Sequence, residues 1–374
     1  MARSHPDTRS VMAAGRPVLL GPGALAALDI WLTKEAKGAQ RVVVGDENTL
    51  RHCLPELLAL VPALREAPPI AVPPGEGSKS LGACHALWSH LAHLGIERGA
   101  VLVALGGGVV TDLAGFVGGT YKRGLRVVNV PTSLMGMVDA AIGGKTAIDL
   151  DGVKNLVGVL RQPEAVVVHP PFLRTLGKRE LLNGVAEMLK HGLVADAAHW
   201  QALVDAPWHD LRALTPLVEQ SAAIKCAVVS DDPEEHGPRR LLNFGHTIGH
   251  AVEAFSWEGP QRGLLHGEAV VVGMLCATWL SWRLELLDRP SCDAITAVLM
   301  ERYRPFLLNT ADHHRILELM AHDKKNRDGG FRFTLLEAIG RGRAGVPVDA
   351  AQVAAALDHY RLLVHDADPQ RRSA

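Results

Sequence analysis

The 374-residue chain has almost no excess of charge: 39 Lys and Arg against 40 Asp and Glu give a formal net charge of −1. A nucleic-acid binder carries a basic field, and this chain has neither that field nor a long run of one sign. Local basic groups can still build an anion site within a neutral whole. Cysteine is scarce. Cys53, Cys84, Cys226, Cys276 and Cys292 are scattered, odd in number and never in a C-x-x-C, which argues against a disulfide framework and a cysteine zinc site. Long hydrophobic runs are missing. The longest, AVVVGMLCATWLSW (Ala269 to Trp282), is too short to cross a bilayer and reads as a buried helix. The opening MARSHPDTRSVMAAGRP has no apolar core of signal-peptide type, so a reducing cytoplasm is expected. No fixed-period repeat is visible, and the triple glycine Gly106–Gly108 is not a G-x-G-x-x-G fingerprint.

What remains is an ordinary globular composition, 48% apolar and 21% charged, long enough for two domains or one large one. The first half alternates. RVVVGD (Arg41–Asp46), PIAVPP (Pro69–Pro74), AVLVALGGG (Ala100–Gly108), RVVNVPTS (Arg126–Ser133) and AVVVHP (Ala165–Pro170) are short apolar runs, with helix-like segments such as SLGACHALWSHLAHLG between several of them. Continuous apolar strands alternating with helices predict a parallel sheet covered on both faces. After about Gly177 such runs stop, and KRELLNGVAEMLKHGLVAD, LTPLVEQSAAIKCAVV and SCDAITAVLMERYRPFL read as helices. The expectation is an α/β domain with a parallel Rossmann-like sheet over residues 1–176, an all-α domain over 177–374, and an active site in the cleft between them.

Ligands of open α/β sheets bind at the carboxyl ends of strands, and several strand ends here are polar or glycine-rich. AVLVAL runs into Gly106-Gly107-Gly108 and then a segment that can open a helix, with Asp112 in its first turns. Glycines let backbone N–H groups approach a pyrophosphate, although a plain strand–helix turn would also use them. Asp46 closes the first run, where a carboxylate can accept from ribose hydroxyls. PGEGSKS supplies Glu76 and Lys79 after the second, and PTS supplies Thr132 and Ser133 after the fourth. Together they predict a nucleotide-sized site.

Further on, MVDAAIGGKTAIDLDGVKNLVG carries Asp139, Lys145, Lys154 and Asn155. It reads equally as a solvated loop or as a cradle for a phosphorylated or polyhydroxylated ligand. Glu187 and Lys190 share a helical face. NFGHTIGHAVEAF places His246 and His250 one turn apart, with Glu253 three further on, and His266 opens the long apolar helix. Among 18 histidines, chance alone gives about one His-x-x-x-His pair. The spacing does not decide between a metal face, a proton-handling face and an ordinary helix. A carboxylate with imidazoles suits zinc or a similar divalent ion with an open position for substrate.

In order along the chain, GGGVVTDLAGFVGGTYKRG, VPTSLMGMVDAAIGGKTAID, KNLVG, GVAEMLKHGL, LLNFGHTIGHAVE, LLHGEAVVVGM and HDKKN resemble the 3-dehydroquinate synthase family of sugar phosphate cyclases. The resemblance runs from about Asp46 to Asn326 and implies the dehydroquinate-synthase-like fold. It implies that Glu187, His246 and His266 hold a divalent metal, zinc or cobalt, while His250 bonds substrate and handles protons. Asp139, Lys145, Asn155, Lys190, Lys225, Arg239, Asn243 and Lys324 would hold the carboxylate, hydroxyls and phosphate of a sugar phosphate. Arg240 adjoins Arg239 and Lys325 adjoins Lys324. Arg123 would reach the neighbouring subunit's site, which implies a homodimer. Asp46, Asn48, Glu76, Lys79, Gly106, Gly107, Gly108, Asp112, Thr132, Ser133, Lys154 and Thr175 would lie against NAD. The implied reaction converts 3-deoxy-D-arabino-heptulosonate 7-phosphate to 3-dehydroquinate and phosphate. Alternatives are another sugar phosphate cyclase, of amino-dehydroquinate, epi-valiolone or deoxy-inosose type, or a metal-dependent NAD alcohol dehydrogenase of shared fold. Asn243 and His250 argue against the epi-valiolone and deoxy-inosose types, and the lysine-rich cradle argues against the dehydrogenase. No membrane or nucleic-acid partner is expected.

Overall fold

The computed structural model describes residues 7–151, 153–259, 263–321 and 330–367. The five apolar runs become five adjacent strands of one seven-stranded sheet. In chain order the strands are β1 (Arg9–Ala13), β2 (Arg16–Leu20), β3 (Arg41–Asp46), β4 (Pro69–Val72), β5 (Val101–Gly106) and β6 (Arg126–Pro131). Next, β7 (Lys145–Leu150) and β8 (Val153–Leu160) leave the sheet as an antiparallel hairpin, and β9 (Ala165–Val168) returns to it. The order across the sheet is β1-β2-β9-β6-β5-β3-β4, and every pair but β1-β2 is parallel. β5 is buried along its whole length, as a central strand covered on both faces must be.

The helices of this part are α1 (Ala24–Lys34), the short α2 (Glu47–His52) and α3 (Leu54–Leu60), α4 (Leu81–His93) and α5 (Gly108–Thr120). Ser80 starts α4 by accepting from the Ala83 N–H at 3.3 Å. α5 lies between β6 and the β7–β8 hairpin. A Cβ on Gly115 would strike Thr146 of β7, and one on Gly118 would strike Val127 of β6. Glycine at both places is what allows the close approach. Val44, Leu102, Ala104, Leu113, Val117 and Ile148 belong to the core so formed.

α6 (Lys178–Ala195) carries the chain from one compact unit into the other, the break falling between Gly184 and Val185. α7 (Ala197–Asp205) belongs to the second unit, but α8 (Leu211–Asp231) goes back to the first and packs on β1. The units are therefore Met1–Gly184 with Pro207–Pro233, and Val185–Ala206 with Glu234–Ala374. This differs from the single break expected at 176/177. A continuous helix shows no break in sequence, and the return of α8 is set by its burial against β1.

The second unit is mainly helical, as expected: α9 (His246–Ser256), α10 (His266–Arg283), α11 (Arg289–Arg302), α12 (Asp312–Ala321) and α13 (Ala350–Ala367). It also holds an antiparallel hairpin, β10 (Phe331–Ala338) with β11 (Arg341–Val348), packed on α10. The all-α expectation is corrected to that extent. α10 is the predicted buried helix, with Gly267, Ala269–Ala277, Thr278, Leu280 and Ser281 all inside.

Candidate functional site

In the first unit the chain places β4 on one side of β3 and β5 on the other, so strand order reverses between β3 and β5. Crevices at such reversals take ligands at the carboxyl ends of the strands. Gly106 ends β5, Gly107 is the N-cap of α5 without a side-chain cap, and Gly108 begins the helix. A Cβ on Gly106 would meet Val110 at 2.5 Å, and one on Gly107 or Gly108 would come within 3.0 Å of Ser133 Oγ or Ala140 Cβ. The three positions form a tight backbone cradle at a helix N-terminus that has uncapped N–H groups, which suits a pyrophosphate. Thr132 is buried here and donates its N–H to the Gly106 carbonyl (3.0 Å), while Ser133 Oγ accepts from the Gly136 N–H (3.2 Å).

Asp46 ends β3 and caps α2: its Oδ1 accepts from the N–H groups of Asn48 and Thr49, each at 2.9 Å. Oδ2 of the same carboxylate can accept from a ligand hydroxyl. Lys79, only 4% exposed, donates to Asp112 at 2.9 Å and to the Asn155 side-chain oxygen, with Glu76 3.7 Å away. Burial pushes the Asp112 carboxyl up to about 6, although Lys79 pulls the other way. Burial works against the Lys79 charge too, but its acidic neighbours prevail and hold the ammonium above its ordinary value. A residue expected at substrate, Asn155, thus joins two expected at cofactor. Its left-handed backbone (φ +52°) is fixed by its N–H donating to Asp149 Oδ1 at 2.8 Å, a role for Asp149 that the sequence did not suggest. Asp139 sits on a π-helical turn, Gly136–Ala140, and accepts from Lys225 of α8 at 2.5 Å. Lys145, at the start of β7, and Lys154, on β8, are exposed. Arg123 is exposed on a turn where Lys122 and Arg123 both hold positive φ (+47° and +63°). Thr175 donates to the Phe172 carbonyl at 3.3 Å.

In the second unit, α9 and α10 approach through glycine. A Cβ on Gly273 would overlap the Gly245 carbonyl, and one on Gly249 would come within 3.1 Å of the Ala269 oxygen. Gly245 itself has φ +77°, a conformation that suits glycine. This contact sets His246, at the first position of α9, beside His266, at the first position of α10, with ring centroids 5.2 Å apart.

Glu187 on α6 lies inside the same cluster. Its Oε2 accepts from Lys190, also fully buried. Its Oε1 is buried without a hydrogen-bond partner, 3.7 Å from His246 Nε2 and 3.8 Å from His266 Nε2. The tautomers make this arrangement informative. The Phe244 carbonyl can only accept, so His246 Nδ1 carries the proton in their 3.0 Å contact. Burial and nearby Lys190 hold that ring well below the usual histidine value, hence neutral. Its Nε2 therefore offers a lone pair. His266 Nδ1 lies 3.0 Å from Glu253 Oε2, and in the neutral ring with its proton on Nδ1 the lone pair is on Nε2. With His266 in that tautomer, three electron-rich atoms converge. An orphaned buried acceptor costs ~1–3 kcal/mol, and a divalent cation removes that cost. Zinc bonds of ~2.0–2.2 Å put tetrahedral ligands about 3.4 Å apart, close to the spacing seen.

His250 is the rival third ligand, since its nitrogen lies with those of His246 and His266 within 4.8 Å. The exposure of His250 and the orphaned oxygen of Glu187 favour Glu187 as the third ligand. Arg239 is buried in the short helical segment Pro238–Asn243, and Asn243 donates to Glu235 Oε1 at 2.7 Å. Lys324, with its neighbour Lys325, lies outside the described residues. Glu253, Glu235 and Asp149 were not assigned roles from sequence. The signal for Glu253 was present as the third member of the His246, His250, Glu253 face.

The N-terminal family signature of 3-dehydroquinate synthase matches residues 69–183, and the C-terminal one residues 184–326. A 3-dehydroquinate synthase of Parabacteroides distasonis is 40% identical over 321 residues, 85% of this chain and 90% of the other. One of Rhodopirellula baltica is 41% identical over 293 residues, 77% of each chain. Among solved structures, 2-epi-5-epi-valiolone synthase from Streptomyces hygroscopicus subsp. jinggangensis 5008, with NAD+ and Zn2+ bound, superposes with a TM-score of 0.82 at 28% identity, covering 95% of this chain and 99% of that one.

Proposed function

We infer the reaction from one premise: the chain belongs to the 3-dehydroquinate synthase family. It converts 3-deoxy-D-arabino-heptulosonate 7-phosphate to 3-dehydroquinate and phosphate. A ring hydroxyl is oxidised transiently, phosphate leaves by β-elimination, the ketone is reduced again, the ring opens and an aldol step closes the carbocycle. This makes the chain a phosphate-eliminating lyase. When bound, NAD supplies a reversible hydride acceptor and a zinc or cobalt ion supplies Lewis acidity at the sugar oxygens.

The observation that carries the reading is the convergence of Glu187 Oε1, His246 Nε2 and His266 Nε2 on one point. These three hold the ion. Lys190 keeps Glu187 monodentate by binding its second oxygen. The Gly106–Gly108 cradle binds the cofactor's pyrophosphate, and Asp46 its ribose. Asn48, Glu76, Lys79, Asp112, Thr132, Ser133, Lys154 and Thr175 complete that contact. Lys145, Lys190, Lys225, Arg239 and Lys324 neutralise the substrate's carboxylate and phosphate. Asp139, Asn155 and Asn243 hold hydroxyls, and His250 moves protons. The exposed Arg123 completes the site of a second copy in a homodimer. Among the described residues no helix is long and apolar enough to cross a membrane, and a cytoplasmic location goes with this reading.

The likeness to 2-epi-5-epi-valiolone synthase favours a second reading, in which the substrate lacks a carboxylate. Phosphate release from the heptulosonate phosphate and from sedoheptulose 7-phosphate separates the two. Each charge-assisted hydrogen bond to the missing carboxylate is worth ~1.5–3 kcal/mol. A single such bond therefore predicts a preference of at least roughly tenfold in kcat/KM. Comparable values for the two sugars would move the protein to the second reading.

A further inference from the structure

Glu253 is 6% exposed and sits on the inner face of α9, two turns beyond His246. Its Oε2 faces His266 Nδ1 at 3.0 Å, while that ring's Nε2 points toward Glu187 Oε1 at 3.8 Å. The chain leading into His266 is fixed from the same end of α9: Ser256 Oγ donates to the Glu253 carbonyl (2.7 Å) and accepts from the Leu264 N–H (2.9 Å). His246 is held differently, by a neutral backbone carbonyl.

The local charges show why one ring is given a carboxylate. His246 and His266 each occupy the first position of a helix, where the backbone dipoles present about half a positive charge. The Lys190 ammonium is bound to Glu187 in the same buried cluster. A divalent cation placed there meets two helix N-termini and an ammonium, with the Glu187 carboxylate beside it and Glu268 capping the start of α10. The Glu253 carboxylate, one imidazole away, offsets that field without occupying a coordination position.

We propose that Glu253 is a positioning residue of the metal centre. It fixes the tautomer and orientation of His266, and its negative charge strengthens that ring as a ligand. The inference rests on the metal reading above, and the experiment separates the two. Cobalt affinity is measured by competition with a chromophoric chelator, and melting temperatures are taken with and without metal. Glu253→Gln keeps shape and a hydrogen-bond acceptor but removes charge. It should weaken cobalt binding about 10–100-fold and shrink the metal-induced rise in melting temperature, while the apo protein melts as wild type does. A merely structural role would lower the apo melting temperature and leave affinity unchanged. If the apo Gln variant does not fold, Glu253→Leu, which suits the buried position, carries the same expectation. His266→Ala is the control. If it keeps wild-type affinity, the metal reading fails and this proposal with it. If His266→Ala loses cobalt but Glu253→Gln binds within threefold of wild type, Glu253 alone is refuted.

Discussion

Gly273→Ala tests whether the α9–α10 approach builds the metal centre. Two effects oppose each other. Replacing a mid-helix glycine with alanine favours the helix by ~0.8–1.0 kcal/mol. Against this, the new Cβ would overlap the Gly245 carbonyl oxygen and stand 2.7 Å from its carbon and 2.8 Å from the Gly249 nitrogen. All three are backbone atoms and cannot rotate away. Overpacking of a well-filled interior costs ~1–3 kcal/mol, so the net effect is a loss of up to about 2 kcal/mol in spite of the better helix former. Relief requires α10 to retreat from α9 by more than about 1 Å, and ligand distances at a metal site tolerate only ~0.2 Å. Metal affinity should therefore fall more steeply than stability. Denaturant unfolding of the apo protein gives the first quantity and chelator competition the second. The matched control is Gly82→Ala in α4, where the nearest atom to a new Cβ is Ser80 Oγ at 3.9 Å; that variant should be neutral or stabilised by a few tenths of a kcal/mol. If Gly273→Ala is as stable as wild type and binds metal as tightly, the helix contact does not set the site.

Chelation should abolish turnover and zinc or cobalt restore it; His266→Ala should lose the metal, whereas His250→Ala should keep it and lose turnover, and equal metal content in the two variants would undo the division of roles. The Asp112 carboxyl, raised to about 6 by burial, binds its proton more tightly in the folded state than in the unfolded chain. Its contribution to stability is therefore complete below about pH 4 and disappears as pH rises through 6, on the order of 1 kcal/mol of it between pH 5 and 7.5. Asp112→Asn should flatten that part of the pH–stability curve, and parallel curves for the two proteins would refute the assignment.

Much of the fold is legible because its strands are apolar runs. RVVVGD, RVVNVP and VLVALG are buried on both faces, and a parallel sheet is the arrangement that hides them. Two of the strands that escape notice lack such runs. β8 is exposed along most of its length, including Val153 and Leu160 at 52% each, and its residues look like a glycine-flanked loop. The Asp151-Gly152 pair before it was the available hairpin signal. β11, RGRAGVPV, alternates exposed and half-buried positions and contains glycine and proline, so no periodicity announces it. At the site, the His246–His250 spacing was visible but its meaning was not. The partner that decides it, Glu187, lies on another helix and is brought in only by packing. The bond from Glu253 to His266 likewise joins two helices.

In the proposed cyclase the hydride returns to the substrate. This is tested most directly by following absorbance of NADH alongside phosphate release, with NAD far below substrate. Many phosphates should be released per NAD, with no lasting NADH. One NADH formed per substrate consumed would contradict it and assign the chain to alcohol oxidation.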